Sequence, residues 1–138
     1  MSNLFMRFPE GKAKALTLSY DDGVEQDIKL IAIMNKYGLK GTFNLNSGLY
    51  SEDNKVYPEG ELHRVMSKKQ AAEVYLNSGQ EIAIHTLTHP FLEKLPGNRV
   101  AYEVNKDREN LENQFSTIVR GMAYPYGTYS DEVVEVLK

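Results

Sequence analysis

The chain has 138 residues, 41% hydrophobic and 25% charged, the balance of a globular domain large enough to bury a core. A net charge of −3 with no cluster of lysine or arginine argues against a nucleic-acid footprint, and no apolar stretch is long enough to span a bilayer. With no cysteine, disulfides and thiolate ligands are excluded, so any metal must be held by histidine, aspartate or glutamate.

Met1 to Pro9 lacks a continuous apolar core and a small-residue cleavage site, so the chain as it stands reads as cytoplasmic. A secreted or cell-surface protein is the alternative if a leader has been trimmed away. Ala15-Leu16-Thr17-Leu18-Ser19-Tyr20 is short, apolar and bounded by polar residues, which predicts a buried strand broken by Asp22-Gly23. From Val24 to Tyr37 the apolar residues fall at helical spacing, and Gly38 is a fitting stop. Gly41 to Leu45 predicts a second strand, and Asn46 to Gly60 has the composition of a long loop. Ser67-Lys68-Lys69-Gln70 has the form of a capping box opening a helix that ends by Gly79. Gln80 to Ile84 predicts a third strand. A polar helix from about Asn98 to Phe115 shows Val100, Val104, Leu111 and Phe115 on one side. Thr117 to Tyr124 predicts a fourth strand, Pro125-Tyr126-Gly127 a turn, and Ser130 caps a last helix.

Strand and helix alternate four times, which predicts an α/β fold with a parallel sheet and crossover helices, as an open sheet or part of a barrel. No repeat or interdomain linker appears, so residues 1–138 read as one domain. Val133 to Lys138 is still helix-like where the chain stops. The expectation is a trimmed domain, or a half-barrel completed by a partner; an open sheet edge could also self-associate into a homo-oligomer.

In folds of this kind, chemistry gathers at the carboxyl ends of the strands. Asp21 and Asp22 follow the first predicted strand, His85 and His89 the third, and Tyr126 the fourth. His85 and His89 are four apart, so on one helical turn their Cβ atoms would lie roughly 5–6 Å apart and both imidazoles could reach one ion. Two surface or capping histidines are the plain alternative; a place after a buried strand, with Asp21-Asp22 after another, favours the metal. A carboxylate completes an N,N,O set for which Zn2+ is the default. Neighbours on an extended segment point in opposite directions, so one aspartate can ligate while the other faces the water. Capping by Asp22-Gly23 would explain one aspartate and leave the other without a purpose. Pro125 and Gly127 fix a tight backbone that could aim the Tyr126 amide at a developing oxyanion, although a plain strand-ending turn has the same look.

Ser19 to Gly23, His85 to His89 and Tyr124 to Gly127, in this order and with helices between, resemble the polysaccharide deacetylases of carbohydrate esterase family 4, the NodB-homology domain. The likeness runs from about Ala13 to the C-terminus and includes Gly41-Thr42-Phe43 and the Gly79-Gln80-Glu81-Ile82 lead. It implies a distorted parallel (β/α) barrel, here apparently incomplete at its C-terminal end. It also implies Asp21 as general base, Asp22, His85 and His89 as metal ligands, and the Tyr126 amide at the oxyanion, with Pro125 and Tyr126 against the substrate. The implied reaction is removal of acetyl groups from an acetylated carbohydrate by a metal-bound water whose proton passes to Asp21. Three departures stand out. Ser19-Tyr20 replaces Thr-Phe; Ala123 occupies the place of an arginine that orders the base, with Arg120 reading as a surface residue; and the motifs bearing a groove-lining aromatic and a histidine acid fall past Lys138. His63, between Pro58 and Met66, reads as a loop residue. An O-acetyl esterase, whose leaving group needs acid less, and a catalytically silent carbohydrate- or metal-binding relative are the alternatives. The loop from Asn46 to Gly60 is expected to shape the choice of acyl carrier.

Overall fold

Three short apolar segments become parallel strands in the computed structural model, which describes residues 8–138. They are β1 (Ser19–Asp21), β2 (Thr42–Leu45) and β3 (Glu81–Ile84), ordered β1-β2-β3 with β2 central. In register, Asp21 lies beside Asn44 and Asn44 beside Ala83. The first strand is shorter than its apolar run. Leu16 is exposed, and pairing begins only where the Thr42 N–H donates to the Leu18 carbonyl at 2.9 Å. The expected fourth strand shrinks to one parallel bridge between Met122 and Ile84. There the Ile84 N–H donates to Gly121 and the Ala123 N–H to Ile84, each at 3.0 Å.

Among the described residues, four α-helices complete the layout: α1 (Gln26–Lys36), α2 (Lys68–Tyr75), α3 (Gly97–Phe115) and α4 (Asp131–Leu137). The capping box forms as expected, with Ser67 Oγ accepting from the Gln70 N–H and Gln70 Oε1 from the Ser67 N–H. Ser130 caps α4 by accepting from the Val133 N–H. Period-2 alternation along β2 sends Phe43 and Leu45 into the core and Thr42, Asn44 and Asn46 to the other face. Tyr20, Phe43, Tyr75 and Phe115 form a chain of ring contacts, with successive centroids 5.5, 5.4 and 6.2 Å apart. That chain ties β1 and β2 to α2 and α3.

The long segment between β2 and α2 is irregular, but it is pinned at two points. Ser51 bridges Ser67, and Val24 forms an antiparallel bridge with Val65. The second bridge is extended by the Glu25 N–H to the Arg64 carbonyl at 2.8 Å and the Met66 N–H to the Gly23 carbonyl at 3.0 Å. It lays the end of the loop against the turn that follows β1.

On α1, Asp27 is buried and accepts a hydrogen bond from the Tyr75 hydroxyl at 2.5 Å. Burial pushes its carboxyl up to about 6, against about 4 in an unfolded chain. Folded protein therefore holds this proton across a window where the unfolded chain has released it. The stabilisation is complete below about pH 4 and is lost as pH rises past about 6. Asp27→Asn keeps an acceptor for Tyr75 and removes the charge. Its urea midpoint, measured against wild type, should rise steadily between pH 4 and pH 7; a constant difference across that range would contradict the assignment.

Candidate metal centre

Each strand of the sheet is followed by a polar residue, Asp22 after β1, Asn46 after β2 and His85 after β3, and these lie at one rim. The Asp22 N–H extends the β1–β2 ladder by donating to the Asn44 carbonyl at 3.0 Å, and the His85 N–H donates to Leu45 at 2.9 Å. Asp22, His85 and His89 then offer one ligand atom each, all within 4.8 Å of one another. His85 Nε2 and His89 Nε2 are 3.1 Å apart, and Asp22 Oδ1 lies 3.8 and 3.7 Å from them. Ligand atoms on a tetrahedral zinc at about 2.0–2.1 Å are separated by roughly 3.3 Å, so the three residues fit such an ion with small adjustment.

The histidines are prepared for that role. His85 is buried, and its Nδ1 lies 2.9 Å from the Ala123 carbonyl. A carbonyl only accepts, so Nδ1 carries the proton and Nε2 turns its lone pair to the centre. Burial, and then the neighbouring His85 ring, hold the His89 imidazole below the ordinary histidine range, which favours the neutral, ligating form.

The expected helical turn between the two histidines does not form. His85 to His89 is an irregular loop in which Thr86 and His89 have φ of 68° and 53°. Left-handed residues fold the loop back on itself, so the rings meet without the i,i+4 geometry of a helix. Asp22 (φ 72°) and Tyr126 (φ 60°) share this conformation. Four of the seven non-glycine residues with positive φ among those described thus surround one centre, where backbone strain is expected at a working site. Nor does Asp22 cap α1, whose N-cap is Glu25 with no side-chain bond.

Two buried acids on α3 hold the histidine loop. Glu103, 1% exposed, accepts from the Thr88 N–H at 2.8 Å and from Thr88 Oγ1 at 3.0 Å. Asp107, 0% exposed, accepts from the His85 N–H at 3.1 Å and the Ser47 N–H at 2.7 Å. Burial raises the Asp107 carboxyl to about 6 even against these donors. From β2, Asn46 Nδ2 reaches the carbonyls of His85 and Thr86 at 2.5 and 2.8 Å. Gly48 lets the two loops touch, since a Cβ there would stand 2.5 Å from the Leu87 carbonyl oxygen.

Asp21 sits next to Asp22 and is exposed, with its Oδ1 2.7 Å from Asn44 Nδ2. Pro125 is buried, and the exposed Tyr126 ring stacks on Phe91 at 3.9 Å and meets the His89 ring edge-on at 4.5 Å. Tyr126 is the second residue of a one-turn 3-10 helix (Pro125–Gly127), where a backbone N–H has no intrahelical acceptor. His63 joins the group: its Nε2 is 3.9 Å from Asp22 Oδ2. It also lines a cavity of about 570 Å³ beside the centre, with Leu49, Tyr50, Lys55 and Tyr57.

Sequence reasoning did not single out Glu103, Asp107, Asn44, Asn46 or the approach of His63. Two signals were present: acids at positions 103 and 107 fall on the apolar stripe of α3, and two asparagines alternate with Phe43 and Leu45 in a buried strand. Glu103→Gln leaves one acceptor oxygen for two donors and should weaken zinc binding by about tenfold in a chelator competition assay. Unchanged affinity in a folded variant would remove Glu103 from the support of this loop.

A profile of the polysaccharide deacetylase family matches residues 9–138. Among solved structures, the Streptococcus pyogenes deacetylase PplD superposes with a TM-score of 0.73 at 26% identity, over 90% of this chain and 51% of its own. A family 4 pseudoenzyme from Bacillus anthracis gives 0.70 at 21% identity, over 90% and 40%. IcaB from Ammonifex degensii gives 0.70 at 21%, over 86% and 53%. The Bacillus subtilis protein YlxY, itself uncharacterised, is 24% identical over 93% of this chain and 35% of its own length. The chain spans about half, or less, of these relatives. Its α/β fold is of their (β/α)-barrel class, and the chain belongs to the polysaccharide deacetylase family.

Proposed function

We propose that the chain forms one deacetylase-type catalytic domain that removes acetyl groups from an acetylated carbohydrate with a divalent metal, zinc by donor type. The convergence of Asp22, His85 and His89 beside Asp21 carries this reading. Family membership supports the substrate class, and the likeness to the deacetylase PplD supports the type of reaction.

In the proposed reaction, Asp22, His85 and His89 would hold the ion. When bound, such an ion polarises an acetyl carbonyl and acidifies water beside it. Asp21 takes the proton as water oxygen bonds to the carbonyl carbon. The Tyr126 N–H meets the charge that develops on the carbonyl oxygen. The bond from carbon to the sugar nitrogen or oxygen then breaks, the proton passes to that atom, and acetate leaves. Tyr57 and Lys55 give the adjoining cavity an aromatic face and a cation, a lining suited to the rest of the sugar chain.

Asp21→Asn is isosteric and removes the base while leaving the three ligands. It should lower acetate release by at least about 100-fold and change zinc affinity by less than about threefold. Retained turnover would overturn the base assignment. Comparing acetate release from chitin oligomers and acetylated xylan separates N- from O-deacetylation.

A second reading, a silent binding relative, draws support from Ala123, which supplies no cation to the base. It predicts that wild type and Asp21→Asn bind acetylated oligosaccharides equally and that neither releases acetate.

A further inference from the structure

Asn44 is an unusual residue for its place. β2 is the central strand, asparagine is depleted in strands, and a buried amide costs stability unless its hydrogens are bonded. Asn44 is 2% exposed, and its Nδ2 lies 2.7 Å from Asp21 Oδ1, 2.8 Å from Ser19 Oγ and 3.2 Å from the Tyr20 carbonyl. The orientation of this amide is unambiguous. Turning it over would place its oxygen against a carboxylate and a carbonyl, neither of which donates. The shortest of the three contacts goes to a carboxylate, the strongest acceptor present. Parallel register enforces the contact, because Asp21 and Asn44 are direct cross-strand partners.

The bond engages one oxygen of Asp21. Among the described residues no side chain donates to Oδ2, and no lysine or arginine pairs with the carboxylate. We propose that Asn44 is the positioning residue of the Asp21 base: its buried amide grips Oδ1 and turns Oδ2 toward the reacting water. The assignment rests on the deacetylase reading above. In it a neutral donor from the neighbouring strand orders the base where residue 123 is alanine.

A purely structural role, stitching β1 to β2, predicts different behaviour. Asn44→Leu keeps the volume and removes the donor. If Asn44 positions the base, kcat for acetate release should fall about 30- to 100-fold, with KM and zinc affinity within about threefold of wild type. Ser19→Ala, which cuts another bond of the same amide, should stay within about threefold in kcat. Asn44→Val, without a donor or a charge and suited to a central strand, should show the same split and serves if the leucine variant does not fold. A second readout needs neither metal nor turnover: the Asn44 side-chain amide resonances of the metal-free protein should shift in Asp21→Asn. Wild-type kcat in Asn44→Leu, zinc affinity falling in step with kcat, or unmoved resonances would each overturn the positioning role. An inactive Asp21→Asn beside a fully active Asn44→Leu overturns that role alone. Full turnover by Asp21→Asn removes the base assignment itself.

Discussion

Asp21 lies beside Asn44 and Asn44 beside Ala83 in parallel register, so three chains leave the sheet at the same level. That constraint makes the centre. Asp22, Asn46 and His85 are each the first or second residue beyond these paired positions. Parallel strands require crossover helices, and α1 and α2 return the chain each time to start the next strand at the opposite end. A one-residue slip of any strand would turn its polar face into the core and carry the end residue away from the rim. Phe43 and Leu45, both fully buried, make such a slip costly. The same hydrophobic alternation that stabilises β2 therefore aims Asn44 and Asn46 at the histidine loop and at Asp21.

The buried polar groups deepen the argument. Glu103 and Asp107 occupy one stripe of α3 with Val100, Val104, Leu111 and Phe115. An apolar pair there would serve stability better, because burying a carboxylate is expensive unless its oxygens are fully bonded. Here they are bonded, and mostly to backbone N–H groups, those of His85 and Thr88 in the histidine loop and of Ser47 in the loop after β2. The helix thus spends two core positions on holding His85 and Thr88 in place. Support of this kind is what keeps ligands at working distance without help from the ligands themselves.

Much of the layout was legible from residues alone, because it is written in local patterns. The capping box at Ser67, the stripe of α3 and the strand-ending Asp21-Asp22 and His85–His89 strings all involve near neighbours in sequence. What stayed hidden depends on distant pairing or on backbone conformation. His63 reaches Asp22 only because Val65 bridges Val24, far away in sequence. The left-handed Thr86 and His89 replace a helical turn that the spacing of four suggested, and no side-chain pattern announces them. The fourth strand shrank because Thr117 to Tyr124 meets β3 at one bridge, between Met122 and Ile84. Asn44 and Asn46 were visible as letters, but the alternation of Thr42-Phe43-Asn44-Leu45-Asn46 acquires meaning only once the apolar half is known to face a core.

The strained backbone at the centre follows from the same economy. Asp22, Thr86, His89 and Tyr126 each occupy a region that costs a non-glycine residue about 1 kcal/mol or more. Two imidazole nitrogens 3.1 Å apart with a carboxylate oxygen at 3.7–3.8 Å would not gather in a relaxed loop, since placing them together loses side-chain freedom. The opposing forces are on the far side of each loop: Asn46 on the His85 and Thr86 carbonyls, Asp107 and Glu103 on the amides, and the Phe91–Tyr126 stack behind His89. Every one of these contacts is made by the protein alone. The proposed ligands are therefore held by contacts that no ion supplies, which lowers the cost of gathering them.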